Sequence, residues 1–204
     1  MNWRSKVNRR LVVVPLDQSD EKRRKAEYPA HGLAVDHLRV ADIDPALAHA
    51  IPVAAVRELW EETGLILGRK GEWTGDIPAD WETFAATGHL PHAEPLQFVF
   101  RALTPPGRTR RFDARFFLVD VDDIASDPDN FDAACDELSH LQWIPLTEAR
   151  SFDMPFITEV VLAEVEARAR DLNAPESVPY FKNNDEESLF LRLKGNARAY
   201  AGKD

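Results

Sequence analysis

The 204-residue sequence contains one cysteine, Cys135, and no long run of apolar residues. A single cysteine excludes an intramolecular disulfide and a cysteine-rich zinc site. The apolar run at residues 11–16 is far too short to cross a bilayer, and no small-residue cleavage site follows it. We therefore expect no secretory leader, no membrane partner and a reducing, cytoplasmic setting.

Basic residues are also in the minority, because 25 Lys and Arg stand against 35 Asp and Glu and give a formal net charge of −10. Neutralisation of phosphates by basic side chains supplies most non-specific affinity for nucleic acid, so we expect no nucleic-acid partner. The basic residues are nevertheless clustered, and residues 101–115 contain a single acid. The arginines of this stretch either contact substrate phosphates or belong to a solvated basic loop. They include Arg101, Arg110, Arg111 and Arg115.

The hydrophobic fraction of 44% supports a sizeable core, and the length suits one α/β domain. The patterns predict strands at 10–16, 96–103, 114–121 and 138–145, a closing hairpin at 180–193, and helices at 44–63, near 81–86 and at 155–170. Pro52 predicts a break or kink in the first helix. Strands interleaved with helices predict a single α/β sandwich over residues 1–204 around a central mixed sheet, with an insertion at about 66–95 and a C-terminal helix plus hairpin at about 154–194.

Three glutamates in the first helix form the most informative pattern. Glu58, Glu61 and Glu62 are spaced three and four residues apart, so their carboxylates share one helical face. Like charges at this spacing repel, and Arg57 can offset only one of them. A divalent cation such as Mg²⁺ offsets all three, whereas an ordinary solvated helix face would leave them in water. The opposite face should bury against the sheet through Val53, Val56, Trp60 and Thr63.

Residues 57–65, R-E-L-W-E-E-T-G-L, resemble the second half of the Nudix signature, R-E-U-x-E-E-x-G-U, at every specified position. The resemblance implies a Nudix-type α/β/α sandwich that binds Mg²⁺ or Mn²⁺ and hydrolyses a pyrophosphate bond in a nucleoside diphosphate derivative. It assigns metal binding to Glu58, Glu61 and Glu62. It further implies that Glu58 assists the attacking water and that Arg57 braces the carboxylates.

Other segments extend the resemblance and also depart from it. Residues 104–118 are similar to a branch that contains coenzyme A diphosphatases. Within the arginine cluster of this stretch, Arg110 and Arg111 are the candidates for substrate binding. Glu137 stands where the family often places a further acid, which would serve as an additional catalytic residue. The front half of the signature is not matched, because His49 and Ile43 occupy its Glu and Gly positions. Residues 28–36 resemble a displaced remnant of the glycine-rich loop.

Two functions from different classes stay open at this point. The first is a metal-dependent pyrophosphohydrolase acting on a small nucleoside diphosphate-type substrate, including a coenzyme A-type compound. The second is a catalytically degenerate Nudix-fold module that binds a nucleotide-like ligand without turnover, because the altered loop and His49 remove family features. The oligomeric state is equally open, and a homodimer is one of its alternatives.

Overall fold

The computed structural model describes residues 10–17, 45–103, 113–135, 140–149, 151–169, 177–183 and 188–194, with the backbone alone described for 16–17, 45–49, 183 and 188–194. The strands are β1 (Leu11–Asp17), β2 (Gly68–Lys70), β3 (His89–Pro91), β4 (Gln97–Leu103), β5 (Asp113–Asp120), β6 (Ser177–Asn183) and β7 (Ser188–Lys194). The α-helices are α1 (Pro45–Thr63), α2 (Glu82–Ala85), α3 (Leu146–Ala149) and α4 (Phe156–Arg168).

Five strands form one mixed sheet in the order β1-β5-β4-β6-β7, and β2 pairs with β3 in a separate hairpin. Strands β4 and β6 run parallel, whereas the other neighbours in the sheet are antiparallel. The prediction of an α/β fold with a mixed sheet is confirmed. The predicted strands near β1, β4 and β5, the closing hairpin β6–β7 and the long helix α4 are also present.

The alternation of side chains along β5 separates two apolar layers. Phe117 and Val119 belong to the core cluster that includes the buried residues of α1. Leu118, between them, packs instead with Val161 and Val165 of α4. Successive strand residues point to opposite faces of a sheet, so α1 covers one face and α4 covers the other.

Helix α1 is buried on all sides along its middle, because every residue from 51 to 59 is buried. Of the break or kink predicted at Pro52, the break is wrong, since the helix is continuous from Pro45 to Thr63. Pro52 lacks an N–H and forfeits one intrahelical hydrogen bond. Packing of the surrounding residues offsets that loss, since Ile51 is 3% exposed and Val53 is fully buried.

The segment at 66–95 contributes aromatic residues to the same core as α1. Trp81 and Phe84 are fully buried, and their rings meet edge to face with centroids 5.3 Å apart. Trp60 of α1 contacts Phe84 in a second edge-to-face pair at 6.1 Å, and its Nε1 donates to Thr83 Oγ1 at 3.0 Å. This segment therefore covers a side of α1 that the sheet leaves open.

The predicted strand at 138–145 is wrong for residues 140–145, which have no strand pairing, while 138–139 lie outside the described residues. Side-chain contacts hold this segment instead. Trp143 Nε1 donates to the Pro128 carbonyl at 3.0 Å, and its ring lies 6.4 Å from that of Phe131. The short helix α3 follows this segment directly. Among the described helices, none is both long and apolar enough to cross a membrane.

Replacement of Gly64 by Ala should destabilise the fold more than the same change at Gly88. Both glycines have left-handed backbones, with φ +71° and +74°, so each substitution should cost about 1 kcal/mol in backbone strain. A Cβ on Gly64 would also lie 3.0 Å from the Ala133 Cβ and the Ala134 nitrogen, whereas nothing lies within 4 Å at Gly88. Urea unfolding should show an additional loss of at least ~1 kcal/mol for Gly64→Ala. Equal losses would show that the contact with residues 133–134 contributes nothing.

Candidate metal and catalytic site on helix α1

Arg57 and Glu58 lie in the buried middle of α1, where they are 4% and 7% exposed. The alternative interpretation, an ordinary solvated helix face, is therefore wrong for Glu58. The reason is tertiary, since α1 is packed by the sheet and also by the segment at 66–95. An ionised side chain taken out of water needs a partner of opposite charge, and the sequence supplies one in the adjacent residue.

The Arg57 guanidinium joins two of the three glutamates. Its Nη1 donates to Glu61 Oε1 at 2.9 Å and to Oε2 at 3.2 Å, while its Nη2 donates to Glu58 Oε1 at 3.1 Å. The contact to Glu61 follows from their spacing of four residues on a helix. Arg57 thus lies between the carboxylates of Glu58 and Glu61.

The C-terminal turn of α1 is held by the loop at residues 131–135. The Gly64 N–H donates to the Trp60 carbonyl at 2.8 Å, and the left-handed Gly64 ends the helix. The Cys135 N–H then donates to the Glu61 carbonyl at 2.9 Å. Glu137 lies outside the described residues, two positions beyond this contact, and its catalytic role stays a prediction.

The glutamate side chains are of the kind that binds Mg²⁺ or Mn²⁺, but they are not arranged around a common point. Carboxylate oxygens are the ligands that Mg²⁺ and Mn²⁺ prefer, and Glu58, Glu61, Glu62 and Arg57 together carry a formal charge of −2. Within the described parts of the chain, however, no three His, Cys, Asp or Glu side chains converge as they would around a metal ion. Two of the carboxylates contact Arg57 instead.

The predicted substrate-binding arginines fall into two groups. Arg110 and Arg111 lie outside the described residues. Arg101 and Arg115 are opposite each other on β4 and β5, and Arg115 is among the most deeply buried side chains described, at 1% exposure. The solvated-loop interpretation is therefore wrong for Arg115. It shares a strand face with Phe117, and that alternation was a signal that the side chain points into the protein.

Sequence reasoning missed the two partners of this arginine pair. Asp113 accepts from Arg101 Nε at 2.8 Å and from its Nη2 at 2.6 Å. The Arg101 guanidinium also lies over the Tyr180 ring, 4.7 Å from its centroid. Tyr180 comes from β6, far along the chain, so only the parallel pairing of β4 and β6 brings it here.

The described part of the chain also contains a concave site next to the C-terminal end of α1. A largely apolar cavity of about 750 Å³ lies between β1, α4 and residues 141–149. Trp143 lines it, and the Arg10 guanidinium stacks 5.0 Å from that ring's centroid. None of the described predicted site residues lines the cavity.

No protein-family model matches the chain, and no match was found among curated proteins or among solved structures. The family resemblance therefore depends on residues 57–65 and their surroundings.

Replacing Arg57 by Met should destabilise the protein by about 3 kcal/mol, because Glu58 would keep a buried charge without its guanidinium. The matched control is Arg168→Met on α4. Arg168 forms an i,i+4 ion pair with Glu164, and this pair is more exposed than Arg57–Glu58. We expect a loss below about 1 kcal/mol there. Adding Glu58→Gln to Arg57→Met should recover part of the loss in chemical unfolding. A similar small loss in both single variants would contradict a buried, mutually dependent pair.

Proposed function

We propose that the chain is a Nudix-type hydrolase that uses Mg²⁺ or Mn²⁺ to cleave a pyrophosphate bond in a nucleoside diphosphate derivative. The observation that carries the proposal is the Arg57 guanidinium between Glu58 and Glu61 on a buried helix that ends at the left-handed Gly64. This arrangement accounts for four of the residues in the matched motif. The placement of α1 against one face of a mixed sheet and α4 against the other supports a Nudix-type α/β/α sandwich.

The balance of charge on α1 supports a cationic ligand. Arg57 offsets one of three glutamates, and the buried Glu58 is already committed to it. Glu61 is more accessible, with one third of its side chain exposed, and Glu62 is half-buried. A divalent cation would balance the remaining formal charge of −2.

The side chains would then divide the work of hydrolysis. Glu61 and Glu62, with Glu58, would hold the cation, which when bound neutralises charge on the diphosphate and makes a water molecule more acidic. Arg57 would fix the carboxylates of Glu58 and Glu61 relative to each other. Glu58 would accept the proton of the attacking water, since its buried carboxylate is held in one orientation by Arg57.

Two observations favour the second candidate, a Nudix-fold module that binds a nucleotide-like ligand without turnover. The described carboxylates do not converge on a common point, and position 49, in the first half of α1, is His rather than Glu. Such a module would keep the ligand but not the metal-dependent step. The two candidates separate on metal binding and on hydrolysis, which the following experiments measure.

Isothermal titration with Mn²⁺ should show binding that depends on the accessible glutamates. We expect Glu61→Gln/Glu62→Gln to weaken Mn²⁺ affinity by at least ~10-fold, because each carboxylate lost removes a charged ligand. The matched control is Glu159→Gln/Glu166→Gln, which removes two exposed glutamates from α4. Equal affinity in the wild type and the α1 double variant would exclude this metal assignment.

A substrate screen with Mg²⁺ or Mn²⁺ should release nucleotide or phosphate products from one of four classes: coenzyme A species, ADP-ribose, dinucleoside polyphosphates or deoxynucleoside triphosphates. Glu58→Gln should lower kcat by at least ~10²-fold, the usual range for loss of a general base. We expect this variant to fold, because the amide oxygen of the new side chain can still accept a hydrogen bond from Arg57. Circular dichroism would check that it does. Absence of metal-dependent hydrolysis, or a full rate in Glu58→Gln, would favour the binding module.

A further inference from the structure

Two arginines, one aspartate and one tyrosine meet at one end of the large sheet. Strands β1, β4 and β6 end there and β5 begins, as the pairing of Arg101 with Arg115 and with Tyr180 shows. Residues directly opposite each other in a sheet share a face. Arg115 alternates with Phe117 on β5, so this cluster lies on the α1 side of the sheet.

Arg115 is a buried cation whose hydrogen-bond donors are only partly satisfied within the described part of the chain. Its side chain is 2% exposed, and its Nε and Nη1 have no hydrogen-bond acceptor in the part of the chain that the structure describes. The Asp113 carboxylate is 3.9 Å from Nη1, beyond hydrogen-bond distance. Burial, and then the charge of Arg101, lower the pKa of Arg115 to about 10, so the group is still a cation at neutral pH. Buried donors without acceptors oppose folding, which indicates that this residue is kept for a ligand.

Arg101 is held beside Arg115 in a fixed orientation. Its two hydrogen bonds to Asp113, at 2.8 and 2.6 Å, engage one edge of the guanidinium, and the Tyr180 ring stacks on its plane. The side chains of Arg101 and Asp113 are 17% and 27% exposed, so the cluster reaches solvent at this end.

The charges of the cluster select the ligand. Arg101 and Arg115 carry two positive charges and Asp113 carries one negative charge, so these three side chains together have a formal charge of +1. The Asp113 carboxylate bonds one arginine and approaches the other, as an oxyanion would. Guanidinium groups recognise phosphate and carboxylate oxygens more strongly than neutral acceptors.

We propose that Arg115 and Arg101 form a binding site for a phosphoryl group of the substrate, and that Asp113 holds the place of this oxyanion until it binds. The site would lie on the same side of the sheet as α1 and supply the positive charge that the glutamates lack. This inference deepens the proposed function, since it gives the substrate's phosphate a site that does not require metal. The alternative is a purely structural buried arginine, which predicts no effect on anion binding.

The test is isothermal titration of pyrophosphate into the protein in the presence of EDTA, which removes any contribution from a cation on α1. Arg115→Met should weaken pyrophosphate binding by at least ~10-fold, because it replaces a buried charged donor with an apolar side chain of similar volume. Asp113→Asn should strengthen binding by ~10-fold, because it removes both the internal competitor and one negative charge. The two changes therefore act in opposite directions.

The matched controls use the exposed pair Arg69–Glu94 on the β2–β3 side of the molecule. Arg69→Met and Glu94→Gln remove the same kinds of charge and should leave pyrophosphate affinity unchanged. An acetate titration compares carboxylate with phosphate as the preferred oxyanion, and acetate binding as tight as that of pyrophosphate would overturn the assignment to a phosphoryl group. If Arg115→Met does not fold, as judged by circular dichroism, Asp113→Asn and Arg115→Lys carry the test.

Wild-type affinity in a folded Arg115→Met, or weaker binding in Asp113→Asn, would overturn the proposal. Arg115→Lys should also weaken binding, because a single ammonium cannot reproduce the donors of a guanidinium. Wild-type affinity in that variant would likewise reject the site. Pyrophosphate binding that depends on Arg115, in a protein with no metal-dependent hydrolysis, would retain this site while rejecting the hydrolase. Hydrolysis that depends on Glu58, with pyrophosphate affinity unaffected by Arg115, would do the reverse.

Discussion

The burial of two charged side chains of α1, Arg57 and Glu58, is the central constraint on this structure. Glu58 is removed from water by the packing of its helix, and an isolated carboxylate there would be strongly unfavourable. Arg57 makes the burial tolerable because it lies beside Glu58 in the chain and also reaches Glu61 one turn later. The same contacts orient two carboxylates on one helical face. The pair therefore both permits the burial of Glu58 and fixes the positions of two carboxylates.

The surroundings of α1 maintain this environment from two directions. Trp81 and Phe84 of the segment at 66–95 exclude water beside the helix, so this segment is part of the core rather than an appendage to it. The loop at 131–135 fits closely against Gly64 and bonds to the Glu61 carbonyl. A residue with a Cβ at position 64 would collide with that loop. The C-terminal end of α1 and the loop at 131–135 consequently fix each other's position.

Charges of opposite sign are separated on one side of the sheet. The excess on α1 is negative, whereas the cluster of Arg101, Arg115 and Asp113 at the sheet end is positive. Asp113 partly neutralises the charge of the two arginines, and Arg57 partly neutralises the charge of the three glutamates on α1. Both clusters are partly buried, where electrostatic interactions are less screened than in water. A ligand that carries phosphates and associates with a divalent cation would complement both.

The main elements follow from local patterns in the chain. Alternation of apolar residues predicted β4 and β5, and the spacing of the helix placed the side chains of Glu58, Glu61 and Arg57 on neighbouring turns, because these periodicities belong to the backbone itself. The end of α1 at Gly64 also follows from the local sequence, since a glycine tolerates the left-handed conformation that ends a helix.

The tertiary structure decided which of these residues are buried and what they meet. Pro52 stays inside a continuous helix because packing on all sides offsets a local defect, and residues 140–145 dock through Trp143 instead of pairing as a strand. Tyr180 meets Arg101 only through a parallel pairing between distant strands. Spacing along the chain determines which side chains share a helix or strand face. Whether that face meets water, a core or an opposite charge depends on contacts between distant segments, which no local pattern encodes.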